Sequence, residues 1–537
     1  MKILFKNTSY LLLIIFGLNI AITSCTSDLE VTPKDDDEFL SETFFSNPAS
    51  YKQVLAKMYS GLYVGGNDGD GSADISGIGG DFSSYLRLLF VMQEVPTDEA
   101  IIGWADGSLP TMNTQKWSSN NEFLYGIYSR AFYEISLANE FLRQTTDDKL
   151  TSRGVDAALK TEIGYFRAEA RFLRAFSYVN LMDLFGNVPI TTENDPVGFF
   201  YPEQKTRAEV FEYVKNELID LNSSLKESKA NEYGRIDKTA AKFLLAQIYL
   251  NSKVYTGVEK NNEAAQLCSD IISSSGYTFA NVPYRYLFSA DNNRNGAQAE
   301  IIFPIVGDGN AIRATGGGMS FILHASIGGS MNASDQGMNG GWQGIRTRKE
   351  FVQLFPDATA TGDTRGTFHT DGQSLDILEV GPFANGYAIK KFTNVNSDGS
   401  AAQRNDIPDT DFPMFRLSDV YLMYAEATLR GASTGNLTTA KNYVNQLRSR
   451  ANATAISESD LSLDFILAER GRELFWECHR RTDLIRFGKF TGGDKIWQWK
   501  GGVKDGASTD SYRNLMPIPA TAIQANPTLK QNTGYTN

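Results

Sequence analysis

Cysteine and histidine are scarce in this sequence, and their scarcity excludes whole classes of protein. Among 537 residues there are three cysteines and three histidines. A disulfide framework or a zinc module needs more of them at close spacing, whereas Cys268 and Cys478 lie far apart. The HExxH, P-loop and GxGxxG patterns are also missing. We therefore expect a protein that is not an enzyme and that carries no cofactor.

Positive charge and long apolar runs are the other shortages. Acidic residues outnumber basic ones by 63 to 51, and the net charge is −12. A field of this sign repels nucleic acids and other polyanions, so neither is expected as a partner. After Cys25 no stretch approaches the roughly 18 uninterrupted apolar residues of a membrane-spanning helix. Aromatic residues, at 12%, are by contrast well supplied.

The N-terminus has the pattern of a lipoprotein signal peptide, residues 1–24. Lys2 and Lys6 precede an apolar run over residues 10–22, which is too short to cross a bilayer, and the sequence ITSC follows, ending at Cys25. A small residue before this cysteine resembles a lipobox, where bacteria attach diacylglycerol to the thiol. Each buried acyl methylene contributes about 0.8 kcal/mol, so several chains anchor a protein almost permanently. The alternative is an ordinary cleaved signal with an accidental cysteine.

Helical periodicity dominates the rest of the chain. Residues 162–190 carry two apolar stripes, and a helix with two apolar faces packs against a neighbour on each side. Gly186 and Pro189 are expected to end it. Other helices are predicted at residues 122–144, at 238–250 paired with 264–273, at 416–430 paired with 438–450, and after a capping box of Thr206 and Glu209. The predicted fold class is mainly α, built from tetratricopeptide-like helical pairs.

A loop-rich region with short β-like runs interrupts the helices at about residues 277–413. Its glycine pairs and triplets break regular structure, and loops this long in a compact protein are usually functional. The last strong helix is predicted over residues 464–481, with Asp464 as its cap and Glu477 one turn before Arg481. The chain thus divides into the signal peptide, an acidic tether at 25–45, an N-terminal helical region at 46–276, and a C-terminal region at 277–537 with the loop-rich insertion.

Two glycine-flanked loops have the composition of a sugar-binding site. A neutral sugar offers weakly apolar C–H faces and a rim of hydroxyls, so it is held by exposed aromatic rings beside polar side chains. PTDEAIIGWADG places Trp104 next to Asp106, and GMNGGWQGIRTR places Trp342 near Gln343 and Arg346. The alternative is that both rings pack back against the helices. Arg87, in DFSSYLRLLF, is a weaker candidate for a hydroxyl contact.

Two other patterns suggest chemistry but match it poorly. Asp68, Asp70, Ser72 and Asp74 alternate like the start of a calcium loop, yet position six is Ala73 and the twelfth position is not Glu. A flexible acidic turn is the favoured interpretation, with calcium as the alternative. The charged side chains on the helix at 464–481 indicate an ion-pair face rather than acid–base catalysis.

Several segments taken together resemble the SusD/RagB family of outer-membrane nutrient-uptake lipoproteins. The resembling segments, in the family's order, are SCTSDLEVTP, AEARFLRAFSYVNLMDLFGNVPI, RLSDVYLMYAEA, ILAERGRELFWECHRRTDLIRFG and LMPIPATAIQANPTLKQNTGY. The resemblance implies four tetratricopeptide-like units and exposure on the outer face of the outer membrane. It also implies a partner, a SusC-like TonB-dependent transporter, over which such proteins sit as a hinged lid. The family's glycan-binding aromatic residues resemble Trp104 and Trp342 in location.

The sequence therefore predicts a lipid-anchored surface protein that captures an oligosaccharide unaltered and delivers it to a transporter. A peptide-capturing lid of the same fold is the first alternative, and a glycan array separates the two. A surface glycosidase is the second, because paired catalytic carboxylates have no linear signature. It would reveal itself by forming product.

Overall fold

The computed structural model describes residues 41–67, 71–355 and 362–536. The predicted signal peptide, its lipidation site Cys25 and the tether up to residue 40 lie outside the described residues, as do Asp68 and Asp70. The chain separates into two units, Met1–Ser50 and Tyr51–Asn537. Of the first unit, the structure describes a short helix and the turn after it, where Ser50 Oγ donates to the Phe44 carbonyl oxygen at 2.7 Å.

Helices are the main regular structure of the described chain and far outnumber strands in residues, which confirms the mainly α prediction. In chain order they are α1 Ser41–Phe45, α2 Ser50–Gly61, α3 Tyr85–Gln93, α4 Pro110–Asn113, α5 Glu122–Gln144, α6 Asp147–Ser152, α7 Ala157–Phe185, α8 Arg207–Ser224, α9 Lys238–Leu250, α10 Ser252–Thr256, α11 Asn261–Ser274, α12 Gly318–Ser326, α13 Lys349–Val352, α14 Leu417–Leu429, α15 Leu437–Arg450, α16 Leu463–Leu474, α17 Arg480–Arg486 and α18 Ala520–Ala525. Across the described ranges, no helix combines the length and apolar character that a bilayer crossing requires.

Strands are short and pair only two at a time in the described part of the chain. They are β1 Ile101–Ile102, β2 Val188–Pro189, β3 Gln204–Lys205, β4 Ile301–Ile305, β5 Ile345–Arg346, β6 Phe368–His369, β7 Ala388–Ile389 and β8 Phe412–Arg416. The antiparallel pairs are β1 with β5, β2 with β3, β4 with β8, and β6 with β7. Four of these eight strands, β4 to β7, lie in the loop-rich region, where the sequence predicted short β-like runs, and β8 begins at its end.

The long helix α7 lies inside a row of helices. It packs against α5 on one side and α8 on the other, and the row continues through α9, α11, α14 and α15. This confirms the prediction made from its two apolar stripes. Its arginines tie it to both neighbours: Arg174 donates to Asn139 of α5 at 2.7 Å and to Glu217 of α8 at 3.1 Å. Gly186 ends the helix with a φ of 72°, as predicted.

The last helix, predicted as continuous over residues 464–481, is wrong, because the structure divides it into α16 and α17. Ser462, not Asp464, caps α16, and the link between the helices holds Trp476 and Cys478 at φ values of 60° and 65°. The amide of Trp476 donates to Glu99 Oε2 at 3.2 Å. A carboxylate nearly four hundred residues away in sequence thus replaces a helical acceptor, which local periodicity does not foresee.

Glu477 and Arg481 do not pair with each other as the helix prediction required. Glu477 instead bonds to Arg416 at 2.6 Å and to Lys391 at 2.6 Å, while Arg481 bonds to Asp183 at 2.7 Å. These two charged side chains therefore form ion pairs with other parts of the chain and not with each other. The thiols of Cys268 and Cys478 are both free.

A buried network of ion pairs joins α16 to the loop-rich region. Arg416, at the end of β8, bonds to Glu473 Oε1 at 2.7 Å, and Arg365 bonds to Glu473 Oε2 at 3.0 Å. Burial alone would raise the pKa of Glu473, but Arg416, Arg450 and Arg365 outweigh it and hold that pKa well below its ordinary value. The network stays ionised because each charge has a partner.

Removing one charge from this network is expected to be costly. Arg416→Met leaves Glu473 and Glu477 buried with fewer partners, so the free energy of unfolding should fall by about 3 to 5 kcal/mol. Urea denaturation of the purified protein measures it. Lys253→Met is the matched control, because Lys253 pairs with Glu259 at 2.6 Å on the surface, and should leave unfolding nearly unchanged. Equal effects of the two variants would contradict this account.

Candidate functional site

Trp104 and Trp342 lie beside the same surface cleft, although 238 residues separate them. The cleft has a volume of about 470 Å³. It is lined by Asp81, Phe82, Arg87, Trp104, Asp106, Thr315, Gly316 and Trp342. A cavity of this size, with aromatic walls and a few polar groups, is typical of a site for a small ligand.

The two indole rings are fixed relative to each other. Their centroids are 6.3 Å apart and their planes are inclined by 50°. The indole nitrogen of Trp104 donates to the Trp342 carbonyl oxygen at 3.1 Å. Gly344 permits this approach, because a Cβ there would lie 2.4 Å from Trp104 Cζ2. The rings thus form a bent aromatic surface, with Trp342 37% exposed and Trp104 partly buried.

A short strand pair brings the two tryptophan loops together. β1 and β5 are antiparallel, with Ile101 opposite Arg346 and Ile102 opposite Ile345. One residue further on, the Gly103 amide donates to the Gly344 carbonyl oxygen at 2.9 Å. Because the tryptophans follow and precede these strands closely, the ladder sets the distance between their rings.

Helix α12 holds the Trp342 loop through main-chain hydrogen bonds. The Trp342 amide donates to the His324 carbonyl oxygen at 2.7 Å, and the Gly344 amide donates to that of Ala325 at 2.8 Å. The His324 ring also stacks on the Trp342 ring, with centroids 4.5 Å apart and planes inclined by 12°. One face of Trp342 is therefore covered by protein.

Arg87 lies in the wall of the cleft, held between aromatic rings. Its guanidinium carbon is 4.1 Å from the Phe82 ring centroid and 4.3 Å from that of Phe321. Nη1 donates to the carbonyl oxygens of Asp81, at 3.1 Å, and Gly316, at 2.7 Å. Burial lowers the pKa of Arg87 to about 9, so the group remains charged at neutral pH. It joins two wall segments and brings a positive charge to the cleft.

The three other residues that the sequence suggested for the site are Asp106, Gln343 and Arg346, and the structure places each of them differently with respect to the cleft. Asp106 is exposed and lines the cleft. Gln343 is exposed, but it is not among the residues that line the cleft, and its Cγ lies beside Gly328.

Arg346 is fully buried, with 0% of its surface exposed, and its side chain is out of a ligand's reach. It donates to the carbonyl oxygens of Asn385, Gly344, Val380 and Pro382. A Cβ on Gly103 would lie 2.7 Å from Arg346 Nη1, so this arginine is directly behind the Trp104 loop. The structure thus separates Arg346 from the cleft surface that Arg87 reaches.

The wall formed by Asp81, Phe82, Thr315 and Gly316 was not predicted from the sequence. Close backbone approach builds it: a Cβ on Gly316 would lie 2.4 Å from the Cβ of Asp81. The glycines of residues 65–80 and 316–318 were the available signal, since glycine often marks a place where two chain segments meet. Nothing in the sequence said which segments those were.

The possible calcium loop is only partly described. Asp74 accepts hydrogen bonds from Lys57 Nζ at 2.7 Å and Arg130 Nη1 at 2.9 Å. Among the residues that the structure describes, no three His, Cys, Asp or Glu side chains are grouped so that they could hold a metal ion. Because Asp68 and Asp70 fall outside those residues, the calcium alternative stays a prediction.

Comparisons with known proteins cover both halves of the chain. A family described as "Starch-binding associating with outer membrane" matches residues 40–250, and the "SusD family" matches residues 379–535. The starch-binding protein SusD of Bacteroides thetaiotaomicron is 32% identical, with 96% of this chain and 97% of that protein aligned. SusD-like protein P25 of Formosa agariphila is 25% identical, with 96% of this chain and 98% of that protein aligned.

Solved structures share the fold. A SusD-like carbohydrate-binding protein of Bacteroides fragilis superposes with a TM-score of 0.69 at 20% identity, covering 91% of this chain and 100% of the other. Surface glycan-binding protein A of Bacteroides fluxus gives a TM-score of 0.68 at 20% identity over the same shares.

A mainly helical scaffold that presents an aromatic surface cleft defines a class of binding proteins. Within that class, this chain belongs to the SusD family.

The two arginines named from the sequence should behave differently when replaced. Arg346→Met removes the donor for four carbonyl oxygens, so the free energy of unfolding should fall by about 2 to 4 kcal/mol. Gln343→Ala, three residues earlier on the exposed side, should change it by less than about 0.5 kcal/mol. Chemical denaturation of both variants measures the difference. A stable Arg346→Met protein would mean that these carbonyls find other donors.

Proposed function

We propose that this protein is a surface lipoprotein that binds a starch-like oligosaccharide in the cleft and delivers it, unaltered, to a SusC-like TonB-dependent transporter. The observation that carries the proposal is the pair of indole rings, 6.3 Å apart at the edge of one open cleft. Support for starch as the ligand comes from the relative with 32% identity, which is a starch-binding protein. The transporter partner and the role as its lid follow from the family resemblance.

The chemistry of the cleft suits a neutral sugar chain. Two inclined rings offer apolar faces to successive sugar units, and stacking of this kind is favourable beyond the area it buries. Asp106 and Arg87 add an acceptor and a donor for hydroxyl groups at the same cleft. A bent pair of rings fits a curved chain better than a flat one, which favours an α-linked glucan.

The proposal is capture without catalysis. Asp81 and Asp106 both line the cleft, so a pair of carboxylates is present. Both are exposed to solvent, however, whereas the acid of a glycosidase is shielded so that its proton is retained near neutral pH.

The Gly-x-Ser-x-Gly sequence at residues 431–435 does not support esterase chemistry either. It links two helices, α14 and α15, whereas a nucleophile elbow joins a strand to a helix. Ser433 Oγ donates to the side chain of Asn262 at 3.1 Å.

Replacing Trp342 tests the binding site. Trp342→Ala removes one stacking face and should weaken maltoheptaose binding by about 1 to 3 kcal/mol, measured by isothermal titration calorimetry. The matched control is Phe199→Ala, an aromatic residue that is 84% exposed but does not line the cleft, and it should bind as the unmodified protein does. Incubation with the same sugar should yield no new reducing ends. Unchanged affinity of Trp342→Ala, or product formation, would contradict the proposal.

Membrane attachment through Cys25 has its own test. Cys25→Ala removes the thiol that carries the acyl chains, so the protein should move from the detergent-rich phase to the aqueous phase in Triton X-114 partitioning. Cys268→Ala, which changes a buried free thiol, should stay in the detergent-rich phase. If both variants partition alike, Cys25 is not the anchor.

A further inference from the structure

The sequence contains three asparagine–glycine pairs, at residues 295–296, 339–340 and 385–386, all in the loop-rich region. Asparagine is one of the chemically labile residues of proteins. Its side-chain amide is attacked most easily when glycine follows, because glycine has no Cβ to hinder the approach of its main-chain nitrogen. In a folded protein the attack requires that the side-chain amide and this nitrogen are free to meet.

The first of these pairs is restrained at both groups. The side-chain amide of Asn295 donates to the Tyr286 carbonyl oxygen at 3.0 Å. The main-chain amide of Gly296 donates to Gln298 Oε1 at 2.7 Å. Attack of one group on the other would break both hydrogen bonds, and that loss opposes the reaction. The folded structure therefore protects Asn295.

The last pair is restrained in the same way. The Leu378 amide donates to Asn385 Oδ1 at 2.8 Å, and the Gly386 amide donates to the Ser374 carbonyl oxygen at 2.9 Å. Gly386 is also buried, so water has little access to the main chain at this point. Asn385 is therefore protected by its hydrogen bonds and by burial of the glycine that follows it.

The middle pair lacks both restraints. Asn339 is exposed, and within the described ranges its side chain has no hydrogen-bond partner. In the same part of the chain the Gly340 amide donates to no acceptor, and a Cβ on Gly340 would meet no atom within 4 Å beyond its chain neighbours. The side-chain amide and the nitrogen that attacks it can therefore approach each other, and water reaches both.

The chain between Asn339 and Trp342 is fixed at both ends. The Asn339 amide donates to the Asn405 carbonyl oxygen at 2.7 Å, and the Trp342 amide donates to a carbonyl oxygen of α12 at 2.7 Å. Between these bonds Gly341 is tightly packed, because a Cβ there would lie 2.3 Å from the Ile327 carbonyl oxygen. A longer main chain in this segment would have to displace Trp342 or break one of the two bonds.

We propose that Asn339 is a site of spontaneous deamidation, and that its isoaspartate product displaces Trp342 and so disables the glycan cleft. The effect on binding rests on the proposed function of the cleft. In the first step the Gly340 nitrogen forms a bond to Asn339 Cγ. The bond between Cγ and Nδ2 breaks, and the side-chain nitrogen leaves as ammonia with the proton of the Gly340 amide. The product is a cyclic imide.

Water opens the imide in the second step, giving its hydroxyl group to a carbonyl carbon and a proton to the nitrogen. Addition at the side-chain carbonyl leaves aspartate in a normal main chain. Addition at the main-chain carbonyl of residue 339 leaves isoaspartate, whose main chain runs through Cβ and Cγ and is longer by one carbon, about 1.5 Å. Both products are negatively charged, but only isoaspartate lengthens the segment that ends at Trp342.

Ageing of the unmodified protein in mildly alkaline buffer, followed by peptide mass spectrometry, tests the site. Base accelerates the reaction because it removes the proton of the attacking amide. Asn339 should be converted while Asn295 and Asn385 stay intact, and all three should react in urea, where the protecting bonds are lost. An Asn339 that survives ageing, or an Asn295 or Asn385 that reacts as fast in the folded protein, overturns the proposal.

Calorimetry of the aged protein with maltoheptaose tests the consequence. An enzymatic methylation assay measures the isoaspartate content of the same samples. The number of tight binding sites per protein should fall in step with that content, because each lengthened chain misplaces one Trp342 ring. Aged protein that is rich in isoaspartate and retains all its binding sites contradicts the effect on the cleft.

Two variants of residue 339 are the matched controls. Asn339→Gln forms the corresponding larger imide ring far more slowly, so it should keep its binding sites through the same ageing. Asn339→Asp has the charge of the products in a main chain of normal length, so the fresh variant should bind maltoheptaose as the unmodified protein does. Equal losses in aged Asn339→Gln, or weak binding by fresh Asn339→Asp, would show that the added chain length is not the cause.

Measurements without ligand separate this proposal from the proposed function. Peptide mass spectrometry decides the conversion of Asn339 whether or not a sugar binds. Acrylamide quenching of tryptophan fluorescence follows the ring, and ageing should increase it in the unmodified protein but not in Trp342→Phe. If fresh protein does not bind maltoheptaose, the proposed function fails while these two measurements still decide the deamidation and the displacement. Quenching that ageing leaves unchanged overturns the displacement.

Discussion

Buried arginines that donate to main-chain carbonyl oxygens are the constraint on which this structure depends. The loop-rich region and the irregular segments in contact with it contain little regular secondary structure, yet much of their backbone is buried and their carbonyl groups need donors. Arg348 donates to carbonyl oxygens of Gln498, Val95, Thr97, Ala100 and Asn113, which belong to three separate parts of the chain. Arg346 does the same for four carbonyls behind the tryptophan loops. A guanidinium group has five N–H donors in a fixed plane, so one side chain can bond to several segments of irregular backbone at once.

The aromatic rings at the cleft are likewise held in position by contacts with other parts of the protein. An exposed indole ring is useful for binding only if its position is fixed, and solvent does not fix it. Here the Trp104 nitrogen is bonded to the Trp342 carbonyl oxygen, and the Trp342 ring is stacked on His324. Arg87 donates hydrogen bonds to the carbonyl oxygens of Asp81 and Gly316 and so links two segments of the cleft wall. The binding surface is therefore small, but the groups that hold it come from α3, α12 and the segments next to β1 and β5.

The helical scaffold was predictable because its signals are local. The helix predicted at residues 238–250 is α9, Lys238–Leu250, and the capping box of Thr206 and Glu209 is present. The prediction failed at residues 475–479, where a continuous helical pattern is broken. The amides of Trp476 and His479 there donate to Glu99 and Glu94. Those carboxylates are distant in sequence, and their contacts outweigh the helical propensity of the segment.

The sequence by itself determined the helices, their caps, the two glycine-flanked tryptophans and the pattern of the N-terminus, since each depends on residues a few positions apart. Only the tertiary structure decided that Trp104 and Trp342 meet, that Arg87 reaches the cleft, and that Arg346 is buried behind it. The pairing of the two-residue strands β1 and β5 determines where the two tryptophans meet. Its register depends on packing between segments more than two hundred residues apart, and no local pattern of residues encodes that distance.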